Sequence, residues 1–268
     1  MKLLRTFLES DFMIIVIRKS NILLVILAFI LALLVYSIDF SKNPDVPVVT
    51  NPYMDGELSV LIDPGHGGED PGAISDYSGL KEKDLNLDIP FKLKALLENE
   101  NVKVIMTRQD DILQYNPGTS GISNKRAQDL RNRKKMMDTA GADIVVSIHF
   151  NKFQQTQYYG AQVFYPPECP DGKKLAEFIQ SELRATVDPA NKREALVKKD
   201  GLIIIKNWKT PTVIVECGFL SNKNEELKIR DEQYRLKIAV AIKDGIMKYF
   251  KDKSGASFED HVASIIEP

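Results

Sequence analysis

Two of the three histidines in this 268-residue sequence stand at the ends of apolar runs. His66 follows Val60-Leu61-Ile62-Asp63-Pro64-Gly65, and His149 closes Ile144-Val145-Val146-Ser147-Ile148. A third run, Val213-Ile214-Val215, ends in Glu216. In open α/β sheets ligands bind just beyond the carboxyl ends of the strands, so three polar endings predict one convergent site. Gly65, Gly67 and Gly68 around His66 permit backbone angles barred to other residues and let another group approach closely. Two histidines with the carboxylate of Glu82 make the three nitrogen and oxygen ligands that catalytic zinc takes while keeping a fourth position for water. Glu216 would then be the base that passes a proton from water to a leaving nitrogen. Residue type and position leave other readings open. A histidine at a strand end can be a hydrogen-bonded structural residue, Glu82 a helix N-terminal carboxylate favoured by the macrodipole, and Glu216 a salt-bridge partner.

To bring these residues together the chain must build a sheet. Short apolar runs alternate with helical patterns, which predicts an α/β fold, a single twisted mixed sheet flanked by helices on both faces. Strands are expected at residues 59–62, 102–106, 143–148, 161–165, 201–205 and 212–216. Helices are expected from Lys83, with a kink at Pro90, and over 124–140, 172–187 and 232–250. Residues 109–123, with Pro117, Gly118 and Gly121, and the charged stretch 192–200 read as loops. Residues 251–268 lack an apolar period and read as a flexible tail, with His261 solvated and without a chemical role.

Composition narrows the function classes. Hydrophobic residues at 44% and charged residues at 27% suit a folded domain, and 36 basic against 37 acidic residues leave a net charge of -1. No global field favours nucleic acid, so it is not expected as a partner. Cys169 and Cys217 are too few for a disulfide framework, and Cys217 reads as a small buried hydrophobe with no base to activate it. Residues 22–38 are uncharged and follow Arg18 and Lys19, the pattern of a transmembrane anchor or uncleaved signal with its N-terminus in the cytoplasm. The expected organisation is a cytoplasmic segment 1–21, a membrane segment 22–38, a proline-stiffened linker 39–56, a catalytic domain 57–250 and the tail. The domain is thus expected outside the cytoplasm, anchored or secreted.

Five segments add a resemblance. Ile62-Asp63-Pro64-Gly65-His66-Gly67-Gly68, Leu80-Lys81-Glu82-Lys83-Asp84-Leu85-Asn86-Leu87, Thr107-Arg108-Gln109-Asp110, Ser147-Ile148-His149-Phe150-Asn151 and Val215-Glu216-Cys217-Gly218-Phe219-Leu220-Ser221-Asn222 resemble, in order, motifs of the zinc-dependent N-acetylmuramoyl-L-alanine amidases of the third amidase family. The resemblance spans roughly residues 58 to 250. It implies a zinc hydrolase of α/β fold that cuts the amide between the lactyl group of muramic acid and L-alanine of the peptidoglycan stem peptide. By motif, His66, Glu82 and His149 match the metal ligands and Glu216 the catalytic glutamate. Arg133 stands where the family has an arginine and is read equally as structural or substrate-binding. Pro90 departs from the family pattern, as does Phe150, which could narrow the groove.

The single short anchor and the 109–123 loop resemble the spore-cortex subgroup, whose members clear stem peptides so that muramic-δ-lactam forms and spores germinate. A vegetative autolysin, or a zinc peptidase or deacetylase of the same polymer, is the competing enzyme reading. A catalytically silent, membrane-tethered wall-binding protein is the non-enzymatic one. The sequence leaves open whether an activating protein partner is required.

Overall fold

A computed structural model describes residues 58–199 and 201–266, with side chains through Gly255; the expected membrane segment and linker lie outside the described residues. In chain order the elements are β1 (Ser59–Pro64), α1 (Glu82–Asn99), β2 (Lys103–Met106), α2 (Ile122–Thr139), β3 (Ile144–Asn151), β4 (Gln162–Tyr165), α3 (Pro170–Glu182) continued by a π-helical turn over Leu183–Val187, β5 (Leu196–Val197), β6 (Thr212–Phe219), α4 (Lys223–Arg230) and α5 (Glu232–Ile266). The six strands form one mixed sheet in the order β2-β1-β3-β6-β4-β5. β1, β2, β3 and β6 are parallel, and β4 runs antiparallel to β6. Among the described residues no helix is long and apolar enough to cross a membrane.

The central strands read as continuous apolar runs because both of their faces are covered. Side chains alternate, so Val60, Ile62, Val146, Val213 and Val215 enter one core with Leu85, Ile89 and Leu93 of α1, Ile179 of α3 and Ile242 of α5. Leu61, Val145 and Ile214 enter a second core with Met137 of α2 and with Ile204 and Ile205. Burial of each such side chain contributes about 1.5–3 kcal/mol. The alternation that fills the second core also sends Asp63, Ser147, His149 and Glu216 toward the α2 face at the ends of β1, β3 and β6.

Four expectations change. Residues 201–205 are not a strand: Ile205 N donates to Leu202 O at 3.1 Å and Lys206 N to the same oxygen at 3.0 Å, closing a turn. A short apolar run cannot be told from a buried turn by periodicity, and this one packs Ile204 and Ile205 beneath α2. The charged stretch 192–200 contains β5, a two-residue edge strand too short to leave a period. The unforeseen α4 starts at Asn222, whose side chain accepts from Asn224 N and Glu225 N at 3.1 Å each. Finally α5 does not stop at Phe250: the segment read as a loose tail continues it to Ile266, since no proline interrupts a helix already nucleated against the core. α1 begins at Glu82 and runs unbroken across Pro90.

Candidate active site

β1 ends in a loop whose carbonyls are gripped by two buried arginines. Arg108 donates from Nε to Pro64 O at 2.9 Å and from a terminal nitrogen to Gly65 O at 2.9 Å. Arg133 bonds to Pro64 O and, at 2.7 Å, to His66 O. Its charge is balanced by Asp63 at 3.0 Å and Asp129 at 2.6 Å, all three buried. Burial alone would raise the Asp63 pKa, but the Arg133 guanidinium and the hydroxyls of Thr107 and Ser147 hold it below the usual value. Through these bonds Arg133 braces the site loop. The grip has a task, because His66 sits at φ 61°, a left-handed conformation uncommon outside glycine.

His66, Glu82 and His149 converge. One ligand atom from each lies within 4.8 Å of the others. Glu82 Oε1 is 3.2 Å from His66 Nε2 and 2.9 Å from His149 Nδ1. The same oxygen receives Phe150 N at 3.0 Å and Asn86 Nδ2 at 3.2 Å, while Oε2 receives Ala73 N at 2.7 Å. Burial opposes the Glu82 charge, but the two imidazoles hold its pKa well below the carboxylate range. On His66, burial is likewise outweighed, by Asp70 and Glu82, and its pKa rises to about 9. Asp70 Oδ2 lies 2.8 Å from His66 Nδ1, and its carboxyl, despite burial, falls to about 2 beside His66 and Arg126.

Room for the cluster comes from two glycines. A Cβ on Gly65 would stand 2.2 Å from His149 Cε1, and one on Gly72 would stand 2.5 Å from Glu82 Oε2. Such gaps are a cradle for rings and carboxylate together, and the three residues could hold a metal ion.

Glu216 pairs in register with His149 across β3 and β6, just before a shift of register between His149 and Asn151. Bulges of this kind occur beside active sites, where they re-aim side chains. Glu216 Oε2 is buried without a hydrogen-bond partner among the described residues, and burial raises its pKa. An unpaired buried carboxylate oxygen is costly for folding alone and implies a task. A cavity of about 410 Å³ connects these groups, bounded by His66, His149 and Glu216, by Arg126 and Leu130 of α2, and by the turn at Leu202, Ile203 and Ile204.

All four residues singled out in the sequence therefore meet in one place. Phe150 does not narrow the groove: its ring is in the α1-side core, 3% exposed, and only its backbone faces Glu82. Cys217 and Cys169 are buried, with thiol pKa values raised by that burial, as packing groups would be. Sequence reasoning missed Asp70, Arg126 and the wall at 202–204. Asp70, four residues beyond His66, carried a local signal; Arg126 carried none.

Two imidazoles from strand ends and a carboxylate from the start of α1 make a donor set that could hold a metal ion, with a second carboxylate across the strand pair, a constellation suited to hydrolysis. The chain belongs to the N-acetylmuramoyl-L-alanine amidase family, which its residues 60–248 match. It is 34% identical over 236 residues to the germination-specific N-acetylmuramoyl-L-alanine amidase of Bacillus subtilis strain 168, covering 88% of this chain and 97% of that protein. The LytC amidase of the same strain is 31% identical over 72% of this chain, which spans 36% of that longer protein. Among solved structures, the CwlD amidase from Clostridioides difficile, in complex with the GerS lipoprotein, superposes with a TM-score of 0.70 at 42% identity, covering 72% of this chain and 98% of that one.

Proposed function

We propose that this enzyme is zinc-dependent and hydrolyses the amide between the lactyl group of muramic acid and L-alanine of the stem peptide, with His66, Glu82 and His149 as ligands and Glu216 as the proton carrier. The observation that carries the reading is the convergence of three donors within 4.8 Å beside the unpaired Glu216 Oε2. Ligand atoms about 2.0–2.1 Å from a tetrahedral zinc lie about 3.3 Å from one another. The 3.2 and 2.9 Å separations at Glu82 Oε1 are near that edge length.

Bound zinc would supply Lewis acidity toward the scissile carbonyl and toward water. Glu216 accepts the proton of the attacking water, and its raised pKa suits a base that must then act as an acid. It returns the proton to the departing L-alanine nitrogen as the C–N bond breaks. Asp70 keeps His66 oriented, while Arg108 and Arg133 keep the loop that carries it in place. The apolar turn at 202–204 forms one wall of the cavity and would offer contact to the peptide's small side chain.

The germination-specific relative supports a role in the spore cortex, where stripping of stem peptides precedes muramic-δ-lactam formation. The lipoprotein complex of the similar amidase supports a protein partner for this chain as well. Residues 22–38 would hold the domain outside the cytoplasm at the membrane. Digestion of purified peptidoglycan and labelling of new amino termini tests the bond assignment. L-alanine termini are expected; released acetate or a freed C-terminal residue would instead indicate a deacetylase or peptidase. Loss of cortex lactam on deleting the gene is expected, and intact lactam would indicate a vegetative autolysin.

A further inference from the structure

We propose that Asp70 and Arg126 form a clamp outside the ligand cluster that fixes His66 for the metal, which makes both of them positioning residues for zinc. This rests on the zinc-site reading above. Asp70 Oδ2 is 2.8 Å from His66 Nδ1, while Nε2, the nitrogen on the far side of the ring, is the one 3.2 Å from Glu82 Oε1. A carboxylate on Nδ1 keeps the imidazole proton there and leaves the Nε2 lone pair for a ligand bond, and it also sets the plane of the ring.

Asp70 is held in turn. Its Oδ1 accepts from Gly72 N at 3.2 Å and is ion-paired with a terminal nitrogen of Arg126. Arg126 belongs to the N-terminal part of α2, and Arg133 of the same helix donates to His66 O at 2.7 Å. One helix thus grips the residue at both ends, through its carbonyl and through its ring. The double grip suits a residue whose φ of 61° its own side chain disfavours.

Two features make the clamp testable. Arg126 is 44% exposed at its side chain, so replacing it opens no core. Beside it, Lys125 straps α2 to Glu69 at 2.7 Å without touching a ligand or Asp70, and serves as a control for simple loop fastening.

The test is the zinc dissociation constant of the full chain in detergent, measured by competition with a chromogenic chelator. D70N is expected to weaken zinc about 10- to 100-fold, the usual effect of losing a histidine's outer partner. R126Q is expected to weaken it several-fold, R126K to recover part of that loss, and K125Q to match wild type. The D70N/R126Q double variant should be no weaker than D70N, because Arg126 acts only through Asp70. D70N binding zinc within about twofold of wild type, or losses that add in full in the double variant, would overturn the clamp. Should D70N not fold, R126Q decides, and a wild-type constant for it is the contrary result. Wild type that takes up no zinc would overturn the metal-site reading itself, which is distinct from wild type and variants binding alike.

Discussion

Glycines make the space in which His66, Glu82 and His149 meet. At Gly72, with φ 66°, a methyl would intrude on Glu82 Oε2 at 2.5 Å and on His66 Cδ2 at 2.8 Å. Gly72→Ala should therefore weaken zinc binding by at least about tenfold while the sheet stays intact; chelator competition with far-UV circular dichroism checks both halves. The buried Asp63 makes a different prediction. Its pKa is lowered in the folded state from 3.8, so it contributes stability above that value, and the contribution is lost as pH falls below it toward the folded pKa. Asp63→Asn should cost about 3–5 kcal/mol at neutral pH, because Arg133 loses a buried partner. It should also flatten the fall in stability below pH 3.8. Urea titrations across that range measure it, and an unchanged acid slope would count against the assignment. At this scale the sequence was most legible where a rare residue ends an apolar run, as at His66 and His149. Arg126 was hidden because it is one among 36 basic residues and owes its role to proximity alone, whereas Asp70, four residues beyond His66, left a local signal that its 36 fellow acidic residues diluted.

The elements that carry the site were legible for a physical reason. β1, β3 and β6 are buried on both faces, so they appear as unbroken apolar runs ending where the site begins. The same signal misled at Leu202-Ile203-Ile204-Ile205, an equally apolar run whose burial comes from packing under α2 as a turn. The kink expected at Pro90 does not interrupt α1, whose Leu85, Ile89, Leu93 and Leu97 hold it against the sheet on both sides of the proline. α4 escaped notice because it is only eight residues long, although Asn222 followed by Glu225 is an N-terminal signature. Its capping bonds give a prediction of their own: Asn222→Ala should destabilise the domain by about 1 kcal/mol. The midpoint of urea unfolding reports it. No change would mean that Glu225, which receives Gly160 N and Phe219 N at 2.8 Å each, anchors the helix unaided.

Taken as a whole, the domain works by separating tasks between the two sides of one sheet. The larger core with α1, α3 and α5 supplies rigidity, and the α2 side supplies the cavity, the arginines and the clamp. Family membership was readable from five short motifs because they are the strand ends and helix start that converge in space. What holds those motifs in place was not, since it depends on contacts between residues far apart in the chain, 84 positions for Asp63 and Ser147 and 144 for Tyr77 and Ser221. The central claim is that three residues hold zinc while Glu216 moves the proton. Its most direct test measures zinc content and release of L-alanine amino termini side by side for wild type, Glu216→Gln and His149→Ala. Glu216→Gln should keep its zinc and lose activity by about 10²–10⁴-fold, whereas His149→Ala should lose both. A Glu216→Gln enzyme that stays active, or one that loses its zinc, would contradict the division of roles.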